Sequence, residues 1–432
     1  MLFYNLNKHS EKVDFRTATI QGLGTDMGLY FPERMAEFPK EWISGINDYS
    51  NEEIAFTVIS PYVGDTIPAV VLKKIVAETI AFNIPLVPVS ENISSLELFH
   101  GPTLAFKDVG ARFMSRCLGY FMKGNAQPVT VLVATSGDTG GAVANGFFDV
   151  DGVRVVILYP SGKVSSVQEL QLTTPGKNVT ALEVDGHFDD CQALVKQAFS
   201  DKELNKKIFL TSANSINVAR WLPQQIYYLL AWKQWKNKNK PPVISVPSGN
   251  FGNICAGLLA YHSGLPAAHF IAACNANSVV PDFLKSGEYK PAKAKATLSN
   301  AMDVGDPSNF IRVLELFNHQ FGPLKQVMSS ESISDDETAS TIRSVYDEHA
   351  YLLDPHGAVG YLALNRYLQD HPGDSGIFLE TAHPVKFYDT VEKVTGKKVA
   401  VPDSVKALLN KKKSAVKIAA EYDSLRQYLL NS

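Results

Sequence analysis

The feature that most constrains this chain is a regular alternation of short apolar runs with helical patterns, beginning at Val129. Val129 to Ala134 (VTVLVA), Val153 to Tyr159 (VRVVILY) and Val179 to Val184 are strand-sized and rich in β-branched residues. Helical patterns at Gly140 to Phe148, Val164 to Leu172 and Phe188 to Phe199 follow them, and Ile208 to Thr211 reads as a fourth strand. Strands apolar on both faces, with helices between them, predict a parallel sheet covered on both sides. A second set continues the theme: helix Arg220 to Lys236, strand Val243 to Val246, helix Gly252 to His262, strand His269 to Asn275, helix Val359 to Gln369 and strand Gly376 to Glu380. The first ninety or so residues differ, with helices at Asn51 to Tyr62 and Ile67 to Ala81. The expected organisation is α/β: a mostly helical N-terminal domain at 1–93, a large parallel-sheet domain from 94–128 with 220–432, and a smaller α/β domain inserted at 129–219.

At 432 residues the chain has room for two or three domains of ~150 residues. Its 41 basic and 44 acidic residues leave a net charge of −3, which gives no general attraction to nucleic acid or an anionic membrane. The basic runs Lys233 to Lys240 and Lys411 to Lys413 lack aromatics spaced for base stacking and read as solvated faces. No apolar run approaches the ~18 residues of a spanning helix. The first residues, MLFYNLNKHSEKVDF, carry no secretory pattern. Cysteines 117, 191, 255 and 274 show no C-x-x-C spacing, so neither a zinc site nor a disulfide framework is expected, and a reducing cytoplasm fits.

Ligands of open parallel sheets sit beyond the carboxyl ends of the strands. Three such ends carry unusual residues. Thr135-Ser136-Gly137-Asp138-Thr139-Gly140-Gly141 follows the first strand and opens a helix, where hydroxyls and backbone amides suit an anion. It also reads simply as a glycine-rich turn with a hydroxyl cap. Pro247-Ser248-Gly249-Asn250-Phe251-Gly252-Asn253 has two glycines that let amides converge on a phosphate, yet it lacks the lysine and spacing of a Walker loop. Gly22, Gly24 and Gly28 miss the dinucleotide fingerprint as well. Glu380-Thr381-Ala382-His383 places a hydroxyl where it could meet a ring nitrogen; a lone histidine such as His383 is more often structural than catalytic. A fourth element, Gly101-Pro102-Thr103-Leu104-Ala105-Phe106-Lys107-Asp108, brings a lysine in behind an apolar approach. With Thr103 as a helix cap, Lys107 would stand one turn inside the helix. Desolvation there lowers an amine pKa and makes the nucleophilic form accessible, which suits Schiff-base chemistry.

The motifs GPTLAFKD, ATSGDTGGA, NSINVAR, PSGNFGN and ETAHPVKF, in this order, resemble threonine synthases, and the N-terminal YNLNK and GLGTDMGLYFPE extend the likeness over nearly the whole chain. That family consists of fold-type II pyridoxal 5'-phosphate (PLP) enzymes of the tryptophan synthase β-like superfamily. The resemblance implies that Lys107 holds the cofactor through an imine and then acts as the base. It implies that Gly249, Asn250, Phe251, Gly252 and Asn253 hold the cofactor phosphate, and that Thr381 stands beside the ring nitrogen. Asp138 would face the cofactor ring, with Thr135, Ser136, Gly137 and Thr139 toward the substrate. The implied reaction converts O-phospho-L-homoserine and water into L-threonine and phosphate. Asn214, Ser215, Asn217 and Arg220, with Arg112 as a helper, are the expected ligands of the substrate phosphate, because arginine forks match phosphate oxygens. The resemblance further implies a monomer or weak dimer with no nucleic-acid or membrane partner. Two alternatives stay open at this point: a β-eliminating relative such as a serine/threonine dehydratase, and a non-catalytic phosphometabolite binder on the same scaffold. Dehydratases usually carry S-[GS]-G-N in place of Ser136-Gly137-Asp138-Thr139.

Overall fold

A computed structural model describes residues 1–125 and 127–431. Fourteen strands among these residues form three sheets. In chain order they are β1 (Leu2–Asn5), β2 (Lys8–Asp14), β3 (Tyr30–Pro32), β4 (Leu86–Pro88), β5 (Ile93–Glu97), β6 (Val129–Ala134), β7 (Val153–Pro160), β8 (Val179–Asp185), β9 (Phe209–Thr211), β10 (Val243–Pro247), β11 (His269–Cys274), β12 (Met328–Ser332), β13 (Gly376–Glu380) and β14 (Val416–Ala419).

Every residue of β6, β10 and β13 is buried, which is why these strands read as continuous apolar runs. The larger sheet has the order β12-β11-β10-β13-β5-β4, parallel except for the antiparallel edge strand β4. The smaller is all parallel in the order β14-β8-β7-β6-β9. Apart from the β4–β5 hairpin, chain order and spatial order diverge in both, and the parallel strands are joined by crossovers.

The N-terminal region is mostly helical, as expected, and carries a small sheet in addition. Ahead of its helices Asn51–Val63 and Ala69–Thr79, β2-β1-β3 form an antiparallel sheet. This sheet is fastened to the rest of the molecule by Arg312, fully buried, whose guanidinium donates to the Tyr30 carbonyl from Nε (3.1 Å) and Nη2 (2.8 Å) and lies over the Trp221 ring.

Sheet membership corrects the expected boundaries at both ends. Leu86–Pro88, expected in the N-terminal unit, pairs with β5 at the edge of the larger sheet. β14 and the Tyr422–Asn431 helix, expected with the large domain, complete the smaller one. Leu425 and Leu429 share a core with Leu182, Val184 and Leu194, so apolar burial brings the chain back to the inserted sheet after a long excursion. The helix expected over Arg220 to Lys236 is broken: Val218–Trp221 leads into a 3-10 turn, Leu222–Gln224, and then Gln225–Gln234. Pro223 lacks the amide an uninterrupted α-helix would use, and the tighter turn accommodates it. No helix among the described residues is long and apolar enough to cross a membrane. All four cysteines are free and buried.

Candidate active site

The carboxyl ends of β6, β10 and β13 converge on one cleft of about 1230 Å³. Its floor is set by backbone bonds between two distant segments. Phe106 N donates to Thr381 O (2.9 Å), His383 N to Leu104 O (3.0 Å), and Ala105 pairs with Ala382 in an isolated antiparallel bridge. This stitch puts Lys107 beside Thr381, and both line the cleft.

Lys107 is the first residue of the helix Lys107–Met122, not one turn inside it. Thr103 does not cap that helix; its amide (2.9 Å) and hydroxyl (2.6 Å) both donate to the buried carboxylate of Asp108. The turn bound in this way closes the loop ahead of Lys107 and fixes the direction of its side chain. Burial pushes the Lys107 pKa below the ordinary lysine value, Asp138 opposes that shift, and Lys386 and Arg220 add to it. The amine is therefore biased toward its neutral, nucleophilic form.

Asp138 opens the helix Asp138–Gly146 and is nearly fully buried. Its Oδ2 lies 3.6 Å from Lys107 Nζ, while Oδ1 accepts from Gln168 Nε2 (2.9 Å) and pairs with Lys386 Nζ (2.7 Å). Burial alone would raise its pKa; the two lysines outweigh that and hold it well below the usual carboxylate range. Thr135 builds the turn in front of it, its hydroxyl oxygen accepting from Gly137 N (3.0 Å) and Gly140 N (2.9 Å). Gly137 has φ of 141°, and a Cβ there would meet the Gln168 amide at 2.5 Å, so no side chain fits. Thr135, Ser136, Asp138 and Thr139 line the cleft; Gly137 shapes the loop from outside it.

Across the cleft the helix Gly252–His262 begins at a cap residue, Phe251, in the left-handed region (φ 62°), and no side chain caps it. Ile254 N donates to Asn253 Oδ1 (3.0 Å) and Cys255 N to Phe251 O (3.1 Å), which leaves the amides of Gly252 and Asn253 for a ligand. Gly249 through Asn253 all line the cleft. A Cβ on Gly249 would lie 2.8 Å from Met302 Cα, so glycine is required for the loop to pass the 300–303 turn. Asn253 Nδ2 donates to Pro247 O (2.7 Å) and holds the loop closed.

Three polar groups lining this cleft have a buried atom with no protein partner: Asn214 Oδ1, Arg220 Nε and Asn300 Oδ1. Buried polar atoms are rarely left so; the Arg220 N–H and the helix start would donate to an anion, and the two amide oxygens would accept from N–H or O–H groups of a ligand. A buried lysine with a lowered pKa, an uncapped helix for a phosphate and a hydroxyl at Thr381 suit PLP.

Sequence reasoning is corrected at Arg112 and Asn217, and the structural reading of His383 fits. Arg112 does not reach the cleft; its Nε (3.1 Å) and Nη2 (2.7 Å) donate to the Glu78 carbonyl, since five positions on from Lys107 the helix turns it toward the N-terminal helices. Asn217 is also absent from the lining. It caps Val218–Trp221 through Ala219 N (3.0 Å) and donates to Thr19 O (2.9 Å) and Ser212 O (3.1 Å). His383 lies behind the site, its Nδ1 accepting from Val385 N (3.1 Å) against the edge of Phe99.

Several residues escaped the sequence reading. Lys386 sat within a recognised motif, and an isolated lysine in the apolar stretch Pro384 to Phe387 was the available signal. His356 enters the cleft with Nδ1 toward Asp354 Oδ1 (2.5 Å) and Nε2 accepting from Ala301 N (3.1 Å), which steadies the 300–303 turn. Leu23, Met27 and Leu29 of the N-terminal region line the mouth.

Residues 92–379 match the family described as "Pyridoxal-phosphate dependent enzyme". Fold, lysine and phosphate cradle thus define a PLP-dependent enzyme, with PLP as its cofactor. Residues 3–80 match "Threonine synthase N terminus" and residues 357–429 match "Threonine synthase, C-terminal". A threonine synthase of Serratia marcescens is 45% identical over 431 residues, covering 100% of this chain and 99% of its own. The crystal structure of the Escherichia coli threonine synthase superposes with a TM-score of 0.92 at 43% identity, covering 100% of both chains. A PLP-bound threonine synthase from Brucella melitensis gives 0.92 at 34% identity, covering 100% of this chain and 99% of that one. The chain belongs to the threonine synthase family.

Proposed function

We propose that the enzyme converts O-phospho-L-homoserine and water into L-threonine and inorganic phosphate, using the cleft between the two parallel sheets. The observation that carries this reading is the meeting, in one cleft, of a buried amine of lowered pKa with two separate sets of anion ligands. One set is the uncapped helix start at Gly249 to Asn253, which would hold the cofactor phosphate. The other is Asn214, Ser215 and Arg220, which would hold the phosphate of the substrate. Ser215 is steadied for this by Asn309, whose Nδ2 donates to its hydroxyl (3.2 Å), and Asn309 in turn accepts from Arg312 Nη1 (2.7 Å).

When bound, PLP supplies an electron sink for the substrate carbanion. Lys107 would anchor the cofactor through Nζ, and the same nitrogen, when unbound, would take the proton from the substrate Cα. It is also placed to deliver and remove protons along the substrate chain as phosphate departs and water adds at Cβ. Thr381 would be an uncharged partner for the ring nitrogen, supplying no counter-ion, which would favour side-chain elimination and replacement over transamination. Asp138 is the cofactor contact on the opposite loop. Ser136, Thr139 and Thr135 offer hydroxyls to the substrate carboxylate. Arg220 remains cationic, although burial pushes its pKa down to about 10. Leu23, Met27 and Leu29 shield the mouth from bulk water.

Phosphate release from O-phospho-L-homoserine tests the reading directly. Release with threonine as co-product is expected. No release, with 2-oxo acid formed from serine or threonine, would reassign the enzyme to the dehydratases.

A further inference from the structure

Lys386 is a buried cation that the chemistry above does not use. Its side chain is fully buried, and it does not line the cleft that Lys107 and Asp138 share. From the turn Pro384–Phe387, just after β13, it reaches Asp138 Oδ1 (2.7 Å) and donates to Thr103 O (2.9 Å). Thr103 O also accepts from Gln171 Nε2 (3.1 Å), so the ammonium sits in a closed polar pocket behind the cleft floor. Asp138 belongs to the smaller sheet's first helix and Lys386 to the larger sheet, and their contact joins the two at the root of the site.

A buried ammonium is costly unless paired, and so is a buried carboxylate. Asp138 stands between two lysines, 2.7 Å from one and 3.6 Å from the other. With Lys386 removed, its charge would have Lys107 as sole cationic partner at contact range, and an ammonium held in an ion pair is no nucleophile. We propose that Lys386 is a positioning residue of the reaction: by taking up the charge of Asp138 from behind, it leaves the Lys107 amine uncaptured and free to react in the cleft. The proposal rests on the reading of Lys107 as the reacting amine, and not on which substrate the enzyme takes.

The charged groups facing Lys107 are Asp138, Lys386 and Arg220, each from a different element. On its own helix, Asp108 is turned away to Thr103. Removing Lys386 deletes a repulsion and strengthens the hold of Asp138, and both changes favour the protonated amine. The sign is therefore fixed: the pH at which Lys107 becomes reactive must rise.

The test measures acetylation of Lys107 by trace acetic anhydride in the full-length chain freed of cofactor, against pH, with peptide mass mapping and thermal unfolding of each variant. In Lys386→Met the midpoint is expected to rise by about one pH unit, roughly a tenfold loss of labelling at a fixed pH on the rising limb. Lys386→Arg should keep it near the wild-type value. If Lys386→Met does not fold, Lys386→Gln, which can still donate a hydrogen bond to Asp138 but carries no charge, decides the matter; its midpoint must then be the higher. A folded Lys386→Met or Lys386→Gln with lowered thermal stability and an unchanged midpoint would make Lys386 a mere strut and overturn the proposal. Because no substrate enters the assay, a failure here is distinct from a failure of the assigned reaction.

Discussion

Lys107 and Arg220 illustrate how a residue's surroundings decide its chemistry. Both are cationic side chains driven toward neutrality by burial, yet only the lysine, with its far lower ordinary pKa, can lose its proton in a working enzyme. Replacing Lys107 by Ala removes anchor and base together, and turnover in the phosphate-release assay is expected to fall by at least the ~10²–10⁴ of a lost general base. Arg220 lines the cleft and its buried Nε has no protein partner, so its loss should be felt on binding. A charge-assisted hydrogen bond contributes about 1.5–3 kcal/mol, so Arg220→Met is expected to lower kcat/KM for O-phospho-L-homoserine by roughly 10- to 100-fold. Arg112→Met is the contrasting case. Because Arg112 serves the Glu78 carbonyl, it should leave KM unchanged and shift only the thermal midpoint. From the sequence both arginines were plausible phosphate ligands; helix phase, which a one-dimensional motif does not carry, separates them.

Among the elements, the turn between β6 and its helix shows how local chemistry builds a site. One hydroxyl oxygen, that of Thr135, satisfies the amides of Gly137 and Gly140. Thr135→Val keeps the shape and strands both amides, a loss of about 1–3 kcal/mol for each if water cannot reach them. A lowered urea midpoint with unchanged slope would show it. The strands that were legible, β6 through β11 and β13, are largely buried, where apolar runs are expected. Those that were not have polar or sparse sequences. β5 is ISSLE, and its Ser95 is tolerated in the interior because the Tyr351 hydroxyl donates to it at 2.9 Å. β12 is MSSES, and β14 has only four residues, mostly exposed. Such strands exist because a neighbour's edge offers hydrogen bonds, and that edge is not written in the strand itself.

For the molecule as a whole, stability should carry the mark of buried histidines. His383 and His269 titrate at about 4 rather than the ordinary 6.5, in both cases chiefly through burial. The unfolded chain therefore binds more protons between those values. Stability is complete above about 6.5 and declines as pH falls toward 4, by at most about 1.4 kcal/mol per pH unit for each ring. Thermal midpoints measured from pH 7 to pH 4 should fall accordingly, and His383→Asn should flatten part of the slope. The returning C-terminus gives a second test at this scale. Leu425→Ala or Leu429→Ala opens a cavity in the core of the smaller sheet and is expected to cost about 2–5 kcal/mol in chemical denaturation. A change within error would mean that the final helix merely rests on the surface.

By itself the amino-acid sequence determined the parallel α/β class, the helices and strands at full burial, the lysine, and the loops at Thr135 to Thr139 and Gly249 to Asn253. These are set by local pattern: strand periodicity, glycine at tight turns, and hydroxyls where helices begin. The tertiary structure alone decided what meets what. It brought residue 107 to residue 381, placed Lys386 behind Asp138, sent Arg112 away from the cleft and returned the last strand to a sheet begun nearly three hundred residues earlier. Such pairings depend on packing between segments far apart in the chain, and no local pattern encodes a distance between them.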